Sequence, residues 1–225
     1  MTNNEVKKIA KKSSHCLVLT HPLVGHINPM LQFSKRLEQK GLRVTLVVTK
    51  LVHKTMNISL HGSVAVETIS DGYDDGGRKV GEGVELYLER FRRVGSETLV
   101  GLVERLAGSG QPVRCIVYDA FLPWVLDVAK RFGLVGAAFF TQSCAVDAVY
   151  YHANKCLVKA PAASGEEISM PGLPRLGRSD LPTFVSEQGS HPAMTKMVVD
   201  QFSNVERADW VLCNTYHELE EEVLL

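Results

Sequence analysis

The sequence predicts an α/β fold, a doubly wound parallel sheet with helices on both faces. Short apolar runs rich in β-branched residues alternate with longer segments whose apolar residues recur at helical spacing. Of the 225 residues, 45% are hydrophobic and 22% are charged, which is ordinary for a globular chain that buries a core. Lys+Arg and Asp+Glu number 25 each, so the charge balance indicates no partner such as nucleic acid or a membrane surface.

Six segments are predicted to be strands, and five segments between them are predicted to be helices. The predicted strands are 15–20 (HCLVLT), 43–49 (RVTLVVT), 64–69 (VAVETI), 113–118 (VRCIVY), 134–140 (LVGAAFF) and 210–214 (WVLCN). The predicted helices are 27–39, 84–106, 123–132, 143–158 and 194–207, with a new helix expected over the last residues. Segments 70–83 and 160–182 are rich in Gly with Asp or Pro and are predicted loops.

Two short motifs predict where the first helix begins and ends. Asn28-Pro29 has the form of an N-cap followed by proline at the first helical position. Lys40-Gly41 is a typical helix end, because glycine adopts the left-handed conformation there without strain. The turn after the first strand is accordingly predicted at residues 21–29, HPLVGHINP.

The N-terminal residues, the cysteines and the apolar runs indicate where in the cell the protein is expected. Residues 1–14 are polar and basic without an apolar stretch, so they read as a disordered tail and not as a signal peptide. The five cysteines form no C-x-x-C pair, which disfavours a disulfide framework or a zinc site and favours a reducing, cytoplasmic location. No run of 18 apolar residues occurs, so no membrane span is expected.

Three polar residues follow strands that should be neighbours. In the commonest doubly wound order the first strand lies centrally beside the fourth, and ligands bind beyond the carboxyl ends at that switch point. His21 and His26 follow the first strand, and Asp119 follows the fourth. A carboxylate within reach of an imidazole fixes its tautomer and stabilises the imidazolium, which makes the ring a better base.

Other interpretations of these residues remain open. A histidine in a loop is often merely exposed, and an aspartate at a strand end is often a helix cap. His21 competes with His26 for the base role, although it precedes Pro22 and can simply face solvent. A serine hydrolase is a further alternative, but no G-x-S-x-G motif occurs and Ser143, after the fifth strand, has the wrong context.

Three kinds of binding site are disfavoured because their sequence motifs do not occur. The first turn has one glycine, Gly25, instead of G-x-G-x-x-G, and no P-loop motif occurs, which disfavours dinucleotide and P-loop chemistry. The eight histidines have no metal-ligand spacing. A His–Asp pair without a Ser or Cys nucleophile suggests that the substrate itself is the nucleophile. Phe121 and Tyr150 are the aromatic residues most expected to line an apolar cleft for a small lipophilic ligand.

Five stretches together resemble one enzyme family. They are HPLVGHINPMLQFSKRLEQKGLRVTLV, TISDGYDDGG, CIVYDAFLPWVLDVAKRFGL, FFTQSCAV and ADWVLCNTYHELEEEV. In this order they look like the N-terminal half of a plant UDP-dependent glycosyltransferase, in the branch that glucosylates small phenolics and carboxylic acids. That resemblance implies the GT-B architecture, whose Rossmann-like N-terminal domain binds the acceptor.

The resemblance also implies residue roles. It makes His26 the general base and Asp119 the residue that orients it. Thr141, in the F-F-T-Q motif, matches a position that touches the transferred sugar, and Val24, Gly25, Phe121, Gln142 and Tyr150 are expected to complete the acceptor and sugar contacts. The co-substrate is a UDP-sugar, most simply UDP-glucose, and the sugar is transferred with inversion. A metal is not needed where the other domain's amides hold the diphosphate.

The sequence departs from the family pattern in two respects. Leu23 and Val24 stand where Ala/Gln-type residues are common before the glycine of the first turn. The Trp- and Gln-containing signature that holds the UDP-sugar does not occur in the 225 residues. We therefore expect an acceptor-binding domain at 15–216, the start of a link to a missing C-terminal donor domain at 217–225, and no transfer by this chain alone. The alternative is a truncated, non-catalytic module that binds a small molecule.

Overall fold

The computed structural model describes residues 14–56, 64–157, 166–187 and 189–224. Its main sheet has six parallel strands in the order β3-β2-β1-β4-β5-β8. They are β1 (His15–Leu19), β2 (Arg43–Thr49), β3 (Ala65–Ile69), β4 (Val113–Asp119), β5 (Val135–Phe140) and β8 (Trp210–Cys213). The predicted doubly wound, Rossmann-like fold is confirmed, with the first strand central and the fourth beside it.

Helices and a small hairpin complete the described part of the chain. The helices are α1 (Val24–Gln39), α2 (Lys50–Thr55), α3 (Val84–Gly108), α4 (Trp124–Arg131), α5 (Cys144–Asn154), α6 (Thr183–Ser186), α7 (Pro192–Asp200) and α8 (Glu221–Leu224). The hairpin pairs β6 (Glu167–Ile168) with β7 (Leu176–Gly177). None of the described helices has both the length and the apolar character needed to cross a bilayer.

Each face of the sheet packs into its own hydrophobic core, because successive side chains of a strand point to opposite faces. On β1, Leu17 and Leu19 belong to the larger core, which α3, α4 and α5 cover. Cys16 and Val18 belong to the second core, which α1 covers with Ile27 and Met30, both fully buried. The central strands are therefore apolar on both faces, as expected of a parallel sheet.

The predicted start of the first helix is wrong. The helix begins at Val24 because the carbonyl of Leu23 accepts from the N–H groups of both His26 and Ile27 at 2.9 Å. Pro29 therefore lies inside α1 and not at its first position. Since proline has no N–H, the helical hydrogen bond to the carbonyl four residues earlier cannot form. The consequence for the site is that His26 is part of the helix and not of a flexible turn.

Several other boundaries differ from the sequence expectation. The helix α2 was missed; it begins where the Thr49 side chain accepts from the N–H of Val52, at 3.3 Å. The segment 194–207 is the helix α7 followed, after a turn, by a 3₁₀ turn at Val205–Arg207. The last residues form a 3₁₀ turn at His217–Leu219 and the short α8, and not one helix. The expected tail lies, except for Ser14, outside the described residues, as does part of the loop at 160–182.

Candidate active site

The turn between β1 and α1 presents two histidines at the carboxyl edge of the sheet. The chain leaves β1 at Leu19 and reverses at Pro22, where the Leu23 N–H donates to the His21 carbonyl at 2.8 Å. The helix then begins without a side-chain cap. This arrangement points the first turn of α1, with His26 in it, over the end of β1.

Asp119 ends the neighbouring strand and receives three N–H groups. Its Oδ1 accepts from the backbone N–H of Phe121 at 3.0 Å, and its Oδ2 accepts from the backbone N–H of His21 at 3.2 Å. Asp119 also begins a tight turn, because its carbonyl accepts from the Leu122 N–H at 2.8 Å. The carboxylate is 1% exposed and is therefore fixed between the two strand ends.

His26 and Asp119 are in direct contact. The third donor to Asp119 is Nδ1 of His26, at 2.8 Å from Oδ2. A carboxylate only accepts hydrogen bonds, so the proton of the neutral ring is on Nδ1, and Nε2 carries a free lone pair. The His26 side chain is 12% exposed, against 1% for its partner. The residues that the switch-point argument expected to meet are thus together, 93 positions apart in the sequence.

Thr141 lies on the same side of the histidine. Its Oγ1 is 3.2 Å from Nδ1 of His26, directly after the end of β5. The contact brings a hydroxyl from a third strand end to the pair. Thr141 is therefore at the site, and its predicted contact with the transferred sugar stays a prediction.

The expectation that His21 can simply face solvent is wrong. Its side chain is buried, with 4% of the residue exposed, and its ring lies 5.4 Å from that of His26 between centroids. Burial lowers the pKa of His21 to about 4, against the opposing influence of Asp119. The ring is consequently neutral at physiological pH. Sequence reasoning missed this burial, because a histidine before proline gives no signal of what packs against it.

Phe121 contacts both histidines and also lines a cavity of about 300 Å³, which neither histidine lines. Its ring centroid lies 4.6 Å from that of His26 and 5.8 Å from that of His21. The cavity lining is both apolar and charged, and it includes Phe91, Leu122, Trp124, Met197, Arg92, Asp127, Asp200 and Arg207. Phe121 therefore lies at the cavity wall, where the sequence predicted an aromatic residue.

The remaining predicted contact residues are in different environments. Val24 and Gly25 are exposed at the start of α1, beside His26. Gln142 is half-buried, and its Oε1 has no hydrogen-bond partner among the described residues. Tyr150 is buried in the larger core, where burial and Asp147 raise its pKa. The first three adjoin the His26 region in sequence or space, whereas Tyr150 belongs to the core packing.

The structure can be compared with two other kinds of site, a serine nucleophile and a metal site. The Ser143 hydroxyl caps α5 by accepting from the Val146 N–H at 3.4 Å, which is a structural role. Among the described residues, no group of three His, Cys, Asp or Glu side chains is arranged to hold a metal ion.

The fold and the site together define a doubly wound α/β domain with a His–Asp pair at its switch point. No protein-family model matches the chain. It is 46% identical over 211 residues to UDP-glycosyltransferase 74F2 of Arabidopsis thaliana, which covers 93% of this chain and 45% of that protein. It is 43% identical over 222 residues to the indole-3-acetate beta-glucosyltransferase of Zea mays, which covers 93% of this chain and 47% of that protein.

A solved structure of a plant protein has the same fold as this chain. The chain superposes on Os79 of O. sativa, crystallised in complex with UDP, with a TM-score of 0.83 and 35% identity, over 92% of this chain and 47% of that one. The chain thus resembles plant UDP-dependent glycosyltransferases of GT-B fold, as the motifs predicted. It spans about half the length of the relatives and structures that it matches.

Proposed function

We propose that this chain is the acceptor-binding half of an inverting UDP-sugar-dependent glycosyltransferase. The acceptor is a small lipophilic molecule with a hydroxyl or carboxyl group. One observation carries the proposal: the 2.8 Å contact of His26 Nδ1 with Asp119 Oδ2, which leaves the Nε2 lone pair available in a ring that packs against Phe121. The names of the relatives, a UDP-glycosyltransferase and an indole-3-acetate glucosyltransferase, support the class of reaction.

The chemistry follows from the free lone pair on Nε2. The acceptor O–H bond breaks, its proton moves to Nε2, and the imidazolium that forms is stabilised by the carboxylate of Asp119. The acceptor oxygen forms a bond to the anomeric carbon of the sugar while the bond from that carbon to the diphosphate oxygen breaks. UDP leaves with that electron pair, and attack from the opposite side inverts the configuration.

The donor is supplied from outside this chain. A UDP-sugar as co-substrate is supported by the UDP in the Os79 structure and by the relatives' names, with UDP-glucose the simplest choice. We infer that the donor is held by a second domain that follows the acceptor half. A cytoplasmic location stays a prediction from the cysteines.

Calorimetry on this chain tests the binding part of the proposal. Indole-3-acetate, taken from the name of the maize relative, is expected to bind, and UDP-glucose is not. If UDP-glucose binds or is hydrolysed by the purified chain, the division of acceptor and donor between two halves is wrong.

Mutation in a longer chain that contains the donor half tests the base. His26→Ala is expected to remove most of the turnover with little loss of thermal stability, because the side chain is partly exposed and only one of its nitrogens is bound. His53→Ala is the matched control, since His53 is exposed on α2. Retained turnover in the His26 variant shows that another group accepts the proton.

A further inference from the structure

His21 is a buried histidine whose ring has no hydrogen bond. Both Nδ1 and Nε2 are inaccessible to solvent and have no partner among the described residues. Leaving a buried polar atom without a partner destabilises the folded state, because the atom loses its hydrogen bonds to water and gains none in return. An imidazole that serves only to fill space at this position could be replaced by a phenyl ring, which avoids that penalty.

The same chain contains a structural histidine for comparison. His15, at the start of β1, is also buried, with 3% exposed. Its Nε2 lies 2.8 Å from the Thr45 hydroxyl, and its Nδ1 lies 3.0 Å from the Gln111 carbonyl. Both nitrogens of the structural histidine are therefore bound, whereas neither nitrogen of His21 is.

His21 is held beside the proposed base by its backbone. Its N–H donates to Oδ2 of Asp119 at 3.2 Å, the same oxygen that accepts from His26. The two imidazole rings are 5.4 Å apart between centroids and tilted by 51°. The carboxylate of Asp119 thus holds both histidines at the same junction of two strand ends.

The protonation state of His21 determines what it can offer. Burial is the dominant influence and lowers its pKa to about 4, with His26 lowering it further and Asp119 opposing. The His21 ring also packs against the uncharged rings of Phe91 and Phe121, at 6.2 and 5.8 Å between centroids. A neutral imidazole presents one N–H donor and one lone pair.

We propose that His21 determines acceptor specificity by donating its ring N–H to the second oxygen of a carboxylic-acid acceptor, while His26 faces the oxygen that attacks the sugar. A carboxyl group has two oxygens for two imidazoles, whereas an alcohol or a phenol offers one. Once the acid has given its proton to Nε2 of His26, that N–H and the ring N–H of His21 can each donate to one oxygen of the carboxylate. This inference rests on the proposed function and narrows its substrate class to aromatic or lipophilic carboxylic acids.

Entry to His21 requires Phe121 to move. The Phe121 ring stands edge-on to His21 at 84°, contacts His26, and lines the cavity. It is half-buried and follows the end of β4. The inference therefore requires an acid to displace this ring, and the His21 nitrogen then has a hydrogen-bond partner only while the acid is bound.

The test compares two ligands that differ only at the reacting end. Indole-3-acetate and indole-3-ethanol are titrated calorimetrically into this chain and into its variants His21→Phe, His21→Gln and His53→Gln. His21→Phe is expected to weaken indole-3-acetate binding about ten- to a hundred-fold, as for loss of a hydrogen bond to a charged group. The affinity for the alcohol is expected to stay unchanged.

Two further readouts separate binding by His21 from a structural effect. His21→Gln keeps a side-chain N–H and is expected to recover part of the preference for the acid, and His53→Gln is expected to match the wild type. In the ¹⁵N-labelled wild-type chain, the His21 ring nitrogens are expected to shift with the acid and not with the alcohol. This measurement needs no variant to fold.

The outcomes distinguish this inference from the proposed function. If the wild type binds acid and alcohol without preference, or if His21→Phe weakens both equally, His21 only shapes the site and the inference is wrong while the proposed function stands. If the wild type binds neither ligand, acceptor binding itself fails, and the inference fails with it.

Discussion

His21 makes the stability of this domain sensitive to mild acid. A folded-state pKa of about 4 lies below the ordinary value of 6.5, so between these values the unfolded chain binds a proton that the folded chain does not. The folded state therefore has its full stability above about pH 6.5 and loses it as the pH falls toward 4. The whole effect amounts to about 3 kcal/mol, of which about 2 kcal/mol falls between pH 7 and pH 5.

The perturbation that isolates this effect is His21→Phe, which removes the titrating group and keeps a ring of similar shape. Urea unfolding of both proteins at pH 7 and pH 5, followed by tryptophan fluorescence, gives the two free-energy differences. Trp124 is buried in the larger core and provides the signal. The variant is expected to gain about 2 kcal/mol on the wild type as the pH is lowered.

Other acid-sensitive groups are shared by both proteins and cancel in the comparison. His53→Gln, at an exposed position, is expected to leave the difference between the two pH values as in the wild type. If the stability difference between His21→Phe and the wild type is the same at pH 7 and pH 5, then His21 is not a neutral, buried imidazole. His21 then also lacks the buried, unpaired ring N–H that its proposed contact with the acceptor requires.

The remaining predictions concern three other positions. Asp119→Asn is expected to keep the fold but lower the free energy of unfolding in urea by about 1–3 kcal/mol, because an amide cannot accept from all three N–H donors. In a longer chain that contains the donor half, the same variant is expected to lower turnover. Unchanged stability contradicts the three-donor geometry. Burial and the charge of Glu220 raise the pKa of Asp147 to about 8, so the folded state loses stability as the pH rises from about 4 through 8. Asp147→Asn is thus expected to gain about 4 kcal/mol at pH 7 and almost nothing at pH 4, and an equal gain at both values is the opposing result. Gly95→Ala places a Cβ 2.9 Å from the Trp124 ring and is expected to lower the melting temperature by overpacking, whereas Gly101→Ala, in the same helix with open space, is expected to raise it.

Much of the fold was predictable because hydrophobic periodicity identifies parallel strands and long helices well. The strand order followed from a general rule, and with it the meeting of His26 and Asp119 across 93 residues. The choice of His26 over His21 came from the family resemblance, since both lie in the same turn. The 2.8 Å contact agrees with that choice.

What could not be predicted depended on contacts between distant parts of the chain. The Asn28-Pro29 pair has the local chemistry of a helix start, yet the Leu23 carbonyl begins the helix earlier. The burial of His21 depends on Phe91 and Phe121, which are 70 and 100 positions away in the sequence. Local sequence patterns contain no information on such packing. Both of these errors lie at the site.

The central position of β1 affects how this domain is made. It is synthesised before both of its partners, β2, which follows soon after it, and β4, which follows about 100 residues later. Until β4 is synthesised, one long edge of an apolar strand lacks its partner, which is the kind of surface that invites aggregation of nascent chains. Synthesis of this protein is therefore expected to depend on chaperones or on slow translation between these two strands.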